Sequence, residues 1–202
     1  MNTELIHTVT TWLHYVGGHY DSPEKFIREA QRLGITRRCP PQVALGMDYG
    51  DRVILLRYGG KGKVFAFAEF TIDRLTLDGD LAQKVGEKFK AEGKATYSEG
   101  GGCVERECGS FFILGTWQVE AAMAEVVRAA MEIAEGEGKP VSVMIGGTLS
   151  RVYDAPVLLQ PAPNFTRGFI RADEMASFEF FGNATDTPRQ IVAIENYMQA
   201  RR

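Results

Sequence analysis

Apolar positions along the chain change period several times, and those changes divide it into elements. Leu5, Ile6, Val9, Trp12, Leu13 and Val16 recur at helical spacing, with Gly17-Gly18 placed to stop a helix. The β-branched residues in the same stretch keep a strand open as the rival. A second helix is expected from Asp21 or Ser22 to Leu33. It has a capping residue, Pro23 in the first turn and Glu24 three residues after Asp21. Its buried stripe is Phe26, Ile27, Ala30 and Leu33, and Gly34 is placed to end it in a left-handed conformation.

The period then falls to two. Gly50-Asp51 reads as a turn and Val53–Tyr58 as a strand. Val64–Ile72 alternates, with Val64, Ala66, Ala68, Phe70 and Ile72 on one face and Phe65, Phe67, Glu69 and Thr71 on the other. The glycine-rich Gly59–Lys63 between them predicts an antiparallel hairpin.

Residues 78–97 are weakly helical around Leu81, Val85 and Phe89, Glu99–Cys108 reads as a loop, and Gly109–Thr116 as a strand. Gln118–Glu135 carries the strongest helical pattern, with Val119, Ala122, Met123, Val126, Ala130 and Ile133 on one face. Val141–Ile145 is expected to be a strand, Gly146-Gly147 a turn, and Thr148–Tyr153 and Pro156–Leu159 short strands. Phe165–Ala172 and Ser177–Phe181 can add two more strands. Thr187, Pro188 and Gln190 open a last helix that buries Ile191, Ile194 and Met198. Hairpins outnumber regular βαβ alternation, so the fold class is α+β: a small mixed or antiparallel pseudobarrel flanked by helices. The expected organisation is a single domain over 1–202, in which a barrel core around 20–75 is elaborated by a second α+β half, 76–202.

Composition narrows the class. The chain has 202 residues, 45% apolar and 24% charged, which excludes disordered and collagen-like proteins. No apolar run approaches the ~18 residues of a membrane span, so no membrane partner is expected. Three cysteines and no basic-then-apolar leader point to reduced thiols and a cytoplasmic location.

The net charge of −3 conceals an asymmetry. Residues 21–63 hold nine Lys/Arg against five Asp/Glu, whereas 64–202 hold fourteen against twenty. A basic face on a mildly acidic protein is one reading, and a solvated face with helix ion pairs the other.

The candidate chemistry lies in that basic stretch. Arg37 and Arg38 stand between the end of a helix and Pro40-Pro41, on what reads as a stiff loop. Arginine forks hold phosphate or a base edge in two-pronged fashion. Lys61 and Lys63, on the hairpin tip, complete the expected ligand-binding set. The competing reading has one arginine capping helix carbonyls and the other solvated. Gly60-Lys61-Gly62-Lys63 lacks the spacing and following helix of a P-loop. Cys103 and Cys108 fit no zinc spacing, and four ligands would require Cys39 plus one of His7, His14 and His19. No metal site and no cofactor are expected. Ser110 and Ser142 lack a nucleophile elbow. Trp12, His14, Tyr15, His19 and Tyr20 form an aromatic patch that can stack bases or lie in the core, and Trp12 is assigned to the core.

Met47-Asp48-Tyr49-Gly50-Asp51-Arg52-Val53-Ile54-Leu55-Leu56, the glycine-rich loop and Val64–Ile72 resemble the start of the PUA/ASCH-like superfamily. There a Gly-Asp-x-Val-x-Leu strand follows a small helix and pairs with a strand of alternating small and aromatic residues. The resemblance, from Phe26 to Ile72, implies a five- or six-stranded pseudobarrel with a cleft between barrel and helix. It also implies binding of RNA or modified bases; a few ASCH proteins are amidohydrolases of modified cytidine. The ASCH Gly-x-Lys-x-x-Glu-x-Arg motif is absent, with Gly34-Ile35-Thr36-Arg37-Arg38 only loosely in its place, so no catalytic residue is carried over. The expected function is therefore a nucleic-acid or modified-nucleotide binding module with RNA or DNA as partner. Two alternatives stay open. One is a small hydrolase of a nucleoside or nucleotide with Glu69 or Glu105 as base. The other is a protein–protein interaction factor, for example a homo-oligomer.

Overall fold

A computed structural model describes residues 9–16, 23–59, 63–98, 104–106, 109–111, 116–160, 168–175 and 179–181. The fold is mixed α+β. The chain divides into two compact units, residues 1–35, 50–73 and 147–202 in the first and 36–49 and 74–146 in the second.

The first unit is built on a curled, half-barrel sheet. Its strands include β1 (Thr11–Tyr15), β3 (Arg52–Gly59), β4 (Lys63–Leu77), β9 (Val143–Gln160), β10 (Phe169–Arg171) and β11 (Glu179–Phe181), in the order β10-β1-β3-β4-β9-β11. A further strand, β2 (Ile35–Cys39), pairs with β9 off this path; residues 36–39 of β2, 74–77 of β4 and 143–146 of β9 belong to the second unit. The hairpin expected from the alternating pattern is present: β3 and β4 are antiparallel, from Arg52↔Thr71 to Gly59↔Lys63, with a bulge between Leu55 and Leu56. Strand β1 runs parallel to β3 and antiparallel to β10. Helix α1 (Pro23–Leu33) buries Phe26 and Ala30 of its expected stripe but leaves Ile27 half-buried and Leu33 40% exposed, and Phe26 meets Phe67 of β4 edge-on at 5.8 Å. It ends at Gly34 (φ 72°), whose N–H donates to the Ala30 carbonyl at 2.9 Å.

Both faces of the central strands are buried. Leu13, Tyr15, Ile54, Leu56, Val64, Ala66, Val157, Leu159 and Ala172 form one buried cluster. Val53–Leu56 are all fully buried, as expected of a strand covered on both faces.

The second unit holds α2 (Pro41–Ala44), α3 (Gly79–Ala91) and α4 (Met123–Gly136), and two strand pairs. Strand β5 (Ala95–Ser98) pairs with β8 (Thr116–Val119), and β6 (Val104–Arg106) with β7 (Gly109–Phe111). Asp78 caps α3 by accepting from the Leu81 N–H at 3.2 Å. Leu81, Val85 and Phe89 are its buried stripe, the residues that carried the helical pattern. A short 3-10 turn, Ala172–Met175, follows β10 in the first unit.

Four expectations are corrected. Residues 11–15 form a strand rather than the end of a helix, because β1 is buried at every position between β3 and β10. Arg37 and Arg38 lie on a strand rather than a loop. Gln118 and Val119 belong to β8, so the strongest helix begins at Met123. Gly146-Gly147 makes no turn. Strand β9 runs through it without a break from Val143 to Gln160, where three strands were expected. A Cβ at Gly147 would overlap the Thr71 carbonyl oxygen and come within 2.7 Å of the Phe70 ring, so glycine there serves close approach of two strands. Of Leu5–Val9 only Val9 is described, and the helix expected from Thr187, Cys103 and Cys108 lie outside the described residues.

Candidate functional site

The Gly50-Asp51 turn of the hairpin is tied down by backbone and side chain together. The Gly50 N–H donates to the Ile72 carbonyl at 2.8 Å, and the Ile72 N–H to the Asp51 carbonyl at 2.8 Å. The Asp51 side chain is buried and turns towards β1. Its carboxylate accepts from the Thr10 N–H at 2.9 Å and from the Trp12 indole N–H at 3.1 Å. A buried carboxylate with charge-assisted donors on two separate groups clamps β1 to the start of β3.

Beside it, on the next residue, Arg52 donates to the Thr11 hydroxyl at 3.0 Å and lies 3.9 Å from Glu69. Glu69 is 3% exposed. Its carboxylate is thus held in the sheet beside a guanidinium, and its own carbonyl accepts from the Ser150 hydroxyl at 3.3 Å. His14 is also buried. Its Nδ1 donates to the Gly168 carbonyl at 2.8 Å, which places the proton there because a carbonyl only accepts, and its ring stacks on Phe169 at 4.3 Å. The side chain of Glu105, the other carboxylate considered as a base, lies outside the described residues.

The four cations named from sequence occupy different settings. On a strand, successive side chains point to opposite faces. Arg37 is half-buried, with its Nε and Nη2 removed from solvent, whereas Arg38 is exposed. The two guanidinium groups therefore do not form one paired fork. Lys63 is exposed at the end of the hairpin, opposite Gly59. Lys61 lies outside the described residues. The sequence reading passed over Arg28 and Arg32, both exposed on α1. Their signal was present in the i,i+4 spacing, which puts like charges side by side.

Among the described residues, Arg28, Arg32, Arg38 and Lys63 have no ion-pair partner. The lysines of the second unit differ. Lys84 pairs with Asp80 at 2.9 Å and Glu137 at 2.6 Å, Lys139 with Glu137 at 2.9 Å, Lys88 with Glu132 at 3.1 Å, and Lys94 with Glu92 at 3.4 Å. Hydrogen bonds from Lys84 and Lys139 hold Asp80 and Glu137 below the usual carboxylate range. Cys39 is buried, and loss of solvent pushes its thiol up to about 12, so it is a poor nucleophile and a poor metal ligand. Among the described residues, no cluster of His, Cys, Asp and Glu could hold a metal ion. No helix of the described residues is long and apolar enough to cross a membrane.

No family model, no curated protein and no solved structure matches the chain.

Proposed function

We propose that the protein binds nucleic acid, or a phosphate-bearing modified nucleotide, through a set of exposed cations that no carboxylate among the described residues neutralises. The observation that carries this reading is the contrast just described. After Glu24, the exposed charged side chains up to Arg38 are all cations: Arg28, Arg32 and Arg38. Lys63 adds a fourth at the hairpin end. Arg28 and Arg32 as i,i+4 neighbours repel each other at a cost of a few tenths of a kcal/mol to the helix. A polyanion removes that repulsion. Each cation that meets a phosphate counts as one contact. The sequence resemblance of Phe26 to Ile72 to the PUA/ASCH-like superfamily, many of whose members bind RNA or modified bases, favours the same class of ligand. Arg37 takes a supporting place in this reading, since part of its guanidinium is withdrawn from solvent.

Phosphate contacts displace condensed counterions, so affinity falls with salt in proportion to their number. Four contacts give a log–log slope of roughly −3 to −3.5, at about −0.9 per phosphate on duplex and −0.7 on single strands. Fluorescence anisotropy with short RNA and DNA oligonucleotides at several salt concentrations measures it. Arg28→Ala with Arg32→Ala flattens the slope by about 1.5, and Arg38→Ala with Lys63→Ala by the same amount. Absence of binding at low salt overturns the reading. So does a slope that neither pair of substitutions changes.

A further inference from the structure

The core face of β3 runs Ile54, Leu56, Tyr58. The first two are fully buried, but Tyr58 is 51% exposed. Its ring lies against Tyr15 of β1, with centroids 4.5 Å apart and planes within 1° of parallel. Tyr15 belongs to the buried cluster, so Tyr58 is the outer member of a two-ring stack rooted in the core. Burial and the hydrogen bond to Tyr58 both raise the Tyr15 hydroxyl above the usual phenol range. A third tyrosine, Tyr153, packs on the same cluster, and the Arg151 guanidinium lies over its ring at 5.7 Å. All four residues are in the first unit. One face of Tyr58 is covered by Tyr15. About half of the Tyr58 surface is open to solvent, on a stack whose inner ring, Tyr15, is 9% exposed and packed in the buried cluster.

We infer that the exposed face of Tyr58, backed by Tyr15, is a stacking platform for an unpaired nucleobase, which makes the ligand single-stranded or locally opened nucleic acid. The inference rests on the proposed binding of nucleic acid and adds the ligand's class. Every base has a π-face, but in a duplex both faces are already stacked on neighbours, so only an unpaired base can offer one. The platform is pre-ordered: the Tyr15 contact fixes the ring, so little side-chain freedom is lost on binding. Lys63, whose register partner is the residue after Tyr58, sits at the same end of the hairpin and supplies a cation for the adjoining phosphate.

The test compares three probes of equal length at one low salt concentration. They are a single-stranded oligonucleotide, the same strand as a blunt duplex, and an abasic single strand that keeps the phosphates. The expected order is tight binding of the first and at least tenfold weaker binding of the other two. Tyr58→Leu keeps an apolar cover over Tyr15 without a π-face. It weakens single-strand binding about five- to hundredfold, from the usual worth of one base–aromatic stack, and leaves abasic binding unchanged. Tyr58→Phe restores it. Equal binding of single-stranded and abasic probes overturns the platform whatever the variants do. If that equal binding still shows the salt slope set by Arg28, Arg32, Arg38 and Lys63, only the platform falls. If no probe binds, the proposed function falls with it.

Discussion

Replacing Asp51 by alanine should rank among the most damaging single changes in the first unit. The carboxylate is 1% exposed and accepts from the Thr10 amide and the Trp12 indole. Removing it orphans two donors. A hydrogen bond to a charged group contributes about 1.5–3 kcal/mol, and an unsatisfied buried donor costs about 1–3 kcal/mol. Two such losses come to roughly 3–5 kcal/mol, a large part of the ~5–15 kcal/mol that stabilises a typical domain. Asp51→Asn keeps one acceptor oxygen and turns an amide N–H₂ towards the other donor, so about half that loss is expected. With a urea slope of roughly 2 kcal/mol per molar, the midpoint falls by about 1.5–2.5 M for alanine and about 1 M for asparagine. Urea unfolding followed by far-UV circular dichroism reads both. Trp12→Phe deletes one donor while keeping an aromatic ring. Asp51→Ala made on that background should cost about 1–1.5 kcal/mol less than on the native chain, as a double-mutant cycle requires of groups in contact. A loss under about 1 kcal/mol for alanine, or equal losses for alanine and asparagine, refutes the account of Asp51 as a two-donor clamp.

Gly147→Ala should cost several kcal/mol, since its Cβ meets backbone that cannot yield, whereas Gly136→Ala at the end of α4 meets nothing within 4 Å and should gain up to about 1 kcal/mol; thermal melts of the two variants should move in opposite directions. The Cys39 thiol, raised to about 12, should stay unalkylated by iodoacetamide at pH 8 in the native protein and react at once in denaturant, and fast native alkylation of Cys39, located by peptide mapping, would contradict its burial.

The parts of the fold legible in the sequence were those where one periodicity applied. Helix α1 has a proline at its start and a glycine at its end, so its bounds were readable, although Leu33 of its expected stripe is 40% exposed. The β3–β4 pairing was readable too, but Phe67 is an extra residue opposite Leu55-Leu56, so Val64 and Ala66 do not share a face with Ala68 and Phe70 as the alternation predicted. Strand β1 was not, because all five of its residues are buried. A strand covered on both faces shows no alternation, and Trp12, Leu13 and Val16 then match helical spacing by chance. Gly146-Gly147 misled for a different reason. The glycine serves contact between strands, and nothing in the neighbouring sequence separates that use from a turn. In the candidate site, the charge excess of residues 21–63 was visible, but its distribution was not. Arg37 and Arg38 read as an equivalent pair until the strand sent them to opposite faces. Asp51 read as a turn residue, since the two donors it satisfies lie some forty positions earlier and no local pattern announces them. Tyr58 looked like the end of an apolar strand, and only the stack on Tyr15 gives its exposure a meaning.

The pairing of Trp12 with Arg171 also sets an order of events during synthesis. Strand β1 emerges from the ribosome first and finds its parallel partner β3 within some forty residues. Its other edge has no partner until β10 has been made. At about 5–20 residues per second, that wait is roughly ten to thirty seconds. The β3–β4 hairpin, local in sequence, can close in microseconds and serve as the template against which β1 docks. Throughout that interval the free edge of β1, with Trp12 and Leu13 along it, is an open pairing surface on the nascent chain. Until β10 is available to cover it, that edge of β1 is the part of the sheet most exposed to mispairing.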